Sequence, residues 1–294
     1  MVKGFFRRVY KGRWGYFFIL PAYFFFAWFT LIPLYEGLKL SFYRSTLRGL
    51  TYVGLDNFRR LLSDEAFHYA LRNTVIFVLI VVPLVLAISL MLALAIFPMS
   101  KRWQSVYRFA FYLPAVASSV VLSMVWLWIY NPTYGLLNYL TGLIGIEPIA
   151  WLGTVEWALP ALALVVVTWT IGQPVILFIA ALGAIPNDYF EAAKIDGATG
   201  WQTFWKVTLP LLRPTALFVL ITQTIGVFQV FVVVLLLTRG GPAHSTQTIV
   251  YRIYETAFQF FDFGYAAAMS GVLLVLVGLI AVLQYRFLGR EVEY

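Results

Sequence analysis

Six stretches without any Asp, Glu, Lys or Arg constrain the fold of this 294-residue chain more than any other feature. Each is at least 22 residues long, and a helix needs roughly 20 apolar residues to cross a hydrocarbon core about 30 Å thick. The pattern therefore predicts six transmembrane helices. Their predicted ranges are 14–35, 73–97, 109–130, 157–185, 215–238 and 263–285.

The overall composition excludes a soluble domain. Hydrophobic residues make up 62% of the chain and charged residues only 12%, whereas a soluble domain is about a quarter charged. The connections between the spans are too short to hold a separate domain. We therefore predict an all-α, polytopic membrane protein in which residues 1–294 form a single transmembrane domain.

The basic residues are distributed unequally between alternate sides of the six spans. Thirteen Lys and Arg residues lie on the side of the N-terminus and eight on the other side, where eight acidic residues cancel them. Because cytoplasmic connections carry the excess of Lys and Arg, both termini are predicted to be cytoplasmic. The net charge of +8 is explained by topology and by contact with membrane lipid, so no nucleic-acid partner is predicted.

Residues suited to catalysis or metal binding are sparse. The chain has no cysteine, and His68, His244 and the acidic pair Asp64-Glu65 lie in predicted loops without ligand-spaced neighbours. The spans hold no ionisable residue, and no glycine-rich phosphate-binding motif is present. We predict neither catalytic nor metal-binding residues. If ATP drives this protein, a partner must hydrolyse it.

The loop 186–214, between the fourth and fifth spans, has the punctuation of a short helix. Pro186 favours a helix start, and Gly197 offers a stop because glycine enters the left-handed conformation without steric cost. A helix of barely three turns is unstable alone in water, so it is expected to dock against something. A protein groove and the lipid surface are equally compatible with its composition.

The same loop resembles a known family, the integral membrane subunits of binding-protein-dependent ABC importers. Glu191-Ala192-Ala193, Gly197 and Leu209-Pro210 match the family's pattern of E-A-A, three residues, G and a later L-P. The resemblance implies the type I ABC importer permease fold and a coupling helix seated in a cleft of the ATPase subunit. It assigns that coupling role to Glu191, Ala192, Ala193, Asp196 and Gly197.

Three further stretches are similar to the sugar-permease branch of this family, in particular to its maltose-permease-F-like members: residues 53–58, 237–242 and 262–268. Arg239 stands where branch members commonly have glycine. The resemblance implies a heterodimer with a sister permease, two copies of an ATPase subunit that binds ATP and Mg, and a periplasmic or extracellular solute-binding protein. It implies no cofactor in this chain and a place in a bacterial or archaeal cell (inner) membrane.

Neutral polar residues within the later spans are candidates for a substrate path. Amides and hydroxyls suit a polyhydroxyl solute, a tryptophan ring can stack on a sugar ring, and the resemblance implies a carbohydrate. The candidates are Ser119, Thr168, Trp169, Gln173 and Gln223. For any one of them, hydrogen bonding between helices is the simpler explanation. Glycerol phosphate or another polyol derivative is the alternative solute. A self-sufficient secondary transporter or channel, with Na⁺ coupling through backbone carbonyls, and a membrane scaffold without transport activity are the alternatives of different class.

Overall fold

A computed structural model describes residues 13–46 and 49–288. Helices dominate this part of the chain, and one two-stranded hairpin that the sequence analysis did not predict interrupts them. The elements are α1 (Arg13–Phe26), a π-helical turn (Ala27–Leu31), α2 (Ile32–Leu40), β1 (Tyr43–Thr46), β2 (Gly49–Tyr52), α3 (Asp56–Ser63), α4 (Glu65–Ile96), α5 (Lys101–Val116), α6 (Ser119–Ile129), α7 (Leu136–Gly142), α8 (Val155–Thr170), α9 (Gly172–Ala184), α10 (Asn187–Ile195), α11 (Gly200–Thr203), a π-helical turn (Phe204–Thr208), α12 (Leu209–Phe228), α13 (Val232–Leu237), α14 (Ile249–Tyr254), a π-helical turn (Glu255–Gln259) and α15 (Phe263–Leu288).

The helices account for the predicted spans with shifted boundaries. Four continuous helical segments are long and apolar enough to cross a membrane: Phe17–Leu40, Glu65–Ile96, Gly200–Phe228 and Phe263–Leu288. Two bent pairs bring the number to six if each pair is one span, with bends of 98° between α5 and α6 and 47° between α8 and α9. The prediction of an all-α polytopic protein is confirmed. The bends were not predicted, because hydropathy measures the length of a span and not its direction.

The described chain forms two compact units, so a single domain over residues 1–294 stays a prediction. The first unit comprises the residues up to 63 together with 253–272, and the second comprises 64–252 and the residues from 273 onward. The basic N-terminal residues 3–11 and Arg290, on which the predicted topology partly depends, lie outside the described residues.

Two of the family-like stretches make polar contacts inside the first unit. The side chain of Asn57, only 2% exposed, donates to the carbonyl oxygens of Ser41 at 2.8 Å and Tyr43 at 2.9 Å. Arg60 Nη1 lies 2.6 Å from Asp262 Oδ2, and the Arg60 guanidinium stacks 3.8 Å above the ring of buried Tyr265. Asn57 of the first stretch thus binds the hairpin, whereas Asp262 and Tyr265 of the second bind Arg60 of α3, two residues beyond the first stretch.

The second unit has its core where α4 packs against α8, α9 and α12. β-Branched residues dominate the face of α4 that packs here, where Val81 and Val85 are fully buried beside Phe77. Gly172 lies at the start of α9, where an added Cβ would overlap the carbonyl oxygen of Phe111 on α5. The small residue is required for the two broken helices to approach so closely.

The histidine and the acidic pair assigned to a loop by sequence lie instead at the start of α4. Asp64 is the N-cap, and its Oδ1 accepts from the backbone N–H of Ala66 at 2.9 Å and of Phe67 at 3.3 Å. Glu65 and His68 belong to the first turn of the same helix. The loop prediction was wrong because the cap precedes the apolar run by a full two turns, and a helix can extend beyond its membrane-spanning part.

The third family-like stretch, residues 237–242, forms a tight turn after α13. Arg239 has φ +50° and Gly240 φ +80°, and the Gly241–Pro242 peptide bond is cis. The Thr246 hydroxyl donates to the carbonyl oxygen of Gly241 at 2.6 Å and closes the turn. Arg239 adopts the left-handed conformation that its position requires, although it carries a Cβ that penalises this conformation.

Replacing Arg239 by glycine is therefore expected to raise the stability of the protein. A residue other than glycine in the left-handed region costs about 1–2 kcal/mol, and the greater freedom of glycine in the unfolded chain takes back roughly half of that gain. Within the described residues the Arg239 side chain makes no hydrogen bond or ion pair that would be lost. Thermal unfolding of the detergent-purified Arg239→Gly variant should shift upward by a degree or more. The Arg239→Ala variant is the control, since alanine keeps the Cβ, and an equal shift in both variants would contradict the strain argument.

Candidate coupling loop and substrate path

The predicted coupling helix is α10, and both of its ends are formed by the residues that predicted them. Pro186 is the N-cap, and Asp188 places a negative charge in the first turn. At the other end Gly197 has φ +70°. The N–H of Ala198 donates to Ala193 O at 2.9 Å and that of Gly197 to Lys194 O at 3.1 Å, which is the Schellman arrangement of a helix C-terminus.

The loop then continues directly into the next span. Thr199 and Gln202 form a capping box at the start of α11, in which each side chain accepts from the backbone N–H of the other. The π-helical turn and α12 follow without a break. A short helical segment therefore connects the end of α10 to the apolar part of α12.

The five predicted coupling residues do not share one environment. Ala193 is buried at 8% exposure, whereas Glu191, Ala192, Asp196 and Gly197 are exposed. A cleft of about 420 Å³ between α10 and the following turns is lined by Ala192, Ala193 and Asp196, among others, but by neither Glu191 nor Gly197. The structure thus brings three of the five together and leaves Glu191 on an open surface.

The exposed surface of the loop combines apolar groups with acidic groups and with the exposed Lys194 of α10. Ile195 is 87% exposed and Trp201 70%, and the rings of Trp201, Phe204 and Trp205 lie within 6.1 Å of one another. Within the described chain the carboxylates of Glu191 and Asp196 have no hydrogen-bond or ion-pair partner. An exposed apolar patch beside unpaired charges is typical of a surface that another molecule covers.

The candidate substrate residues all lie close to interruptions of the helices. Ser119 is the first residue of α6, directly after the 98° bend. Thr168, Trp169 and Gln173 flank the 47° bend at Ile171, and Gln223 lies five residues before the end of α12 at Phe228. All are half-buried except Gln173, which is exposed. The Thr168 hydroxyl donates to Val165 O at 2.8 Å, so its oxygen remains free to accept.

The fifth span is itself interrupted at residues 229–231, between α12 and α13. Gln229 ends α12 with φ −95° and ψ 9°, and its side chain is exposed. Irregular backbone at membrane depth is tolerated only where it is buried in protein or lines a polar cavity. The three breaks therefore lie where the irregular backbone is covered by protein or lines a polar cavity.

One polar contact between spans was missed by sequence reasoning. Gln284 on α15 donates from Nε2 to the hydroxyl of Thr224 on α12 at 2.9 Å. Its Oε1 is buried and has no hydrogen-bond partner within the described part of the chain. Because Gln284 lies two residues before Arg286, its position is typical of the polar end of a span. No signal in the sequence indicated that it bonds to another helix.

Comparison with protein families gives a match over most of the chain. Residues 85–294 match the family model described as binding-protein-dependent transport system inner membrane component. The lactose transport system permease protein LacF of Rhizobium radiobacter is 37% identical over 283 residues, which are 94% of each chain. The sn-glycerol-3-phosphate transport system permease protein UgpA of Agrobacterium fabrum is 35% identical, over 90% of this chain and 92% of the relative.

Solved structures show the same fold. A chain of a bacterial ABC transporter involved in the import of the acidic polysaccharide alginate superposes with a TM-score of 0.85 at 24% identity, over 98% of this chain and 99% of the other.

Proposed function

Because the chain belongs to the family of binding-protein-dependent transport system inner membrane components, we propose that it forms half of the translocation path for a carbohydrate. The path opens alternately outward and inward as separate ATPase subunits close on ATP and reopen after hydrolysis. A solute-binding protein delivers the substrate on the side opposite the coupling loop.

The single observation that supports this proposal best is the surface of the coupling loop. Its helix is defined at both ends, continues through α11 into α12, and presents unpaired carboxylates beside exposed apolar side chains. A helix resting only on lipid would gain nothing from unpaired acidic groups, since anionic lipid repels them. An ATPase subunit with a complementary basic cleft accounts for both features.

The partner assembly follows from the same reasoning. We propose a heterodimer with a sister permease and two ATPase copies, which bind ATP and Mg, in the cell (inner) membrane of a bacterium or archaeon. The N- and C-termini lie on the cytoplasmic side together with the coupling loop. The chain itself needs no cofactor, because its coupling residues act by contact and not by chemistry.

Charge reversal at Glu191 tests the coupling proposal. The Glu191→Lys variant should lower ATP-driven uptake about fivefold, because it places like charge against a basic cleft and loses a charge-assisted contact. Uptake of lactose by the reconstituted complex and ATP hydrolysis stimulated by the loaded binding protein are the measurements. Glu147→Lys reverses a charge that is also exposed, outside the loop, and should change neither rate. Normal uptake by the Glu191→Lys complex would leave the loop as an interfacial helix.

The carbohydrate assignment is supported by the neutral character of the residues at the helix breaks. Gln223→Leu keeps the side chain close in volume and removes both hydrogen-bonding groups, so uptake should fall about threefold through weaker solute binding, with assembly unchanged. The KM for uptake is the measurement that separates this role from helix packing, which would change the amount of complex instead. An unchanged KM would assign Gln223 to contacts between helices.

The second candidate solute is glycerol phosphate, favoured by the similarity to the sn-glycerol-3-phosphate permease protein. A phosphate requires a basic group or a helix N-terminus in the path. Within the described residues the five candidate substrate residues include no basic group. Binding of radiolabelled lactose and glycerol 3-phosphate to the cognate binding protein distinguishes the two solutes directly.

A further inference from the structure

A second cleft, of about 490 Å³, lies in the other part of the second unit. It is formed where α4 and α8 begin and where the loop after α13 passes between them. Successive spans run in opposite directions. The starts of α4 and α8 and the end of α13 therefore lie on the same side, opposite the coupling loop. We call this cleft the outer groove. None of the candidate coupling or substrate residues lines it.

The polarity of the outer groove changes with depth along the helices. Its rim is formed by Tyr69, Arg72 and Asn73 on α4, by Val155 and Glu156 at the start of α8, and by the loop residue His244. Ile76 and Ile80, one and two turns after Arg72 on α4, and Leu159, about one turn after Glu156 on α8, make the deeper lining apolar. These deeper residues are half-buried within this chain, so part of their apolar surface is open to the groove.

The charges at the rim are of opposite sign and are not used by the protein. Arg72 and Glu156 are exposed, and within the described residues neither has a hydrogen-bond or ion-pair partner. The loop after α13 is tied to α4 beside Arg72, because Asn73 Nδ2 donates to the carbonyl oxygen of His244 at 2.8 Å. The Ser245 hydroxyl at the same rim is buried and has no partner within the described residues.

We propose that the outer groove binds one phospholipid whose headgroup carries a phosphate and a primary ammonium, as in phosphatidylethanolamine. Arg72 binds the phosphate and Glu156 accepts from the ammonium, so the two unpaired charges match the two charges of the headgroup. One acyl chain lies along Ile76, Ile80 and Leu159, which replaces contact with water by apolar contact. The proposal requires only the membrane fold and is independent of the transported solute.

The gradient of polarity favours a lipid over a carbohydrate. A sugar carries hydroxyl groups around the whole edge of its ring and would leave several of them unpaired against the isoleucines of α4. An amphiphile can place its charged headgroup against the rim and its acyl chain against the deeper apolar residues. The groove also begins at the helix ends, which is the level at which headgroups meet the spans.

The test measures lipid retention by the full chain, purified from membranes with its associated subunits. The complex is placed in nanodiscs of phosphatidylethanolamine, phosphatidylcholine and phosphatidylglycerol in equal amounts, and the lipids that remain after detergent release are counted by native mass spectrometry.

We expect one phosphatidylethanolamine per copy of this chain. Retention should fall about tenfold in the Arg72→Gln/Glu156→Gln variant, since both charge-assisted contacts are lost. Arg44→Gln/Glu147→Gln removes one charge of each sign from exposed positions outside the groove and should retain the lipid. Equal retention by wild type and the groove variant would overturn the proposal, as would equal retention of all three lipids by the wild type.

A second measurement does not depend on the charge variants. The chain has no cysteine, so the Ile76→Cys variant carries its only thiol in the deeper part of the groove. Phosphatidylethanolamine should slow its reaction with a water-soluble maleimide about tenfold relative to nanodiscs of phosphatidylcholine alone, and lactose at millimolar concentration should not. Protection by lactose without protection by phosphatidylethanolamine would make the groove a carbohydrate vestibule and the lipid assignment wrong.

Discussion

Replacing Gly197 by valine is expected to reduce ATP-driven uptake by about an order of magnitude while the protein still inserts and assembles. Gly197 has φ +70°, and its N–H closes the end of α10 onto Lys194. A β-branched residue in this conformation is strained by about 1–3 kcal/mol, which the helix end can relieve only by unwinding. Unwinding moves Asp196 and breaks the short helical connection to α12. Uptake and ATPase stimulation by loaded binding protein, measured on the reconstituted complex, report the loss.

Asparagine at the same position is the matched control. Nothing lies within 4 Å of a Cβ added at Gly197, so valine and asparagine differ in their tolerance of positive φ and not in steric fit. Asparagine enters the left-handed region at low cost. Gly197→Asn should therefore keep most of the uptake that Gly197→Val loses. Equal loss in both variants would mean that the backbone conformation is not the reason for glycine here.

The sequence predicted the parts of this molecule that depend on local chemistry. Six apolar stretches predicted the helical fold, and Pro186 and Gly197 predicted the ends of α10, because backbone preferences of proline and glycine do not depend on distant contacts. The start of α4 was predicted wrongly, because the apolar stretch begins only at residue 73 whereas the helix already includes His68. The length and apolarity of a stretch indicate whether it lies in the membrane, whereas the N-cap residue decides where the helix begins.

The bends and the groove depend on contacts that a single sequence does not display. The direction change between α5 and α6 requires neighbours that satisfy the freed backbone groups. Arg72 and Glu156 are 84 positions apart, and each alone reads as a residue at the end of a span. The candidate substrate residues were chosen for their polarity or ring stacking at mid-span and by resemblance, and their common position beside helix breaks became visible only in the structure.

Replacing Gly264 by alanine is expected to remove most of the folded protein from the membrane. Gly264 is the second residue of α15, and a Cβ there would overlap the carbonyl oxygen of Tyr43 in β1. Backbone meets backbone at this point, so no change of rotamer relieves the overlap. The same carbonyl oxygen accepts from Asn57, and moving it away would also break that buried hydrogen bond. Overpacking and the lost bond together cost about 3 kcal/mol or more, which is a large share of the stability of an ordinary domain.

A second glycine of α15 provides the control for this prediction. Gly278 lies in the same helix, and an added Cβ at Gly278 would meet nothing within 4 Å. Gly278→Ala should therefore leave the amount and thermal stability of the protein unchanged or raise them slightly, through the higher helix propensity of alanine. The quantity to compare is the fraction of each variant that elutes as folded protein in fluorescence-detected size-exclusion chromatography, together with its melting temperature. If Gly264→Ala behaves like Gly278→Ala, the hairpin can move away from α15 without cost. The close approach of Gly264 to Tyr43 would then not constrain the fold.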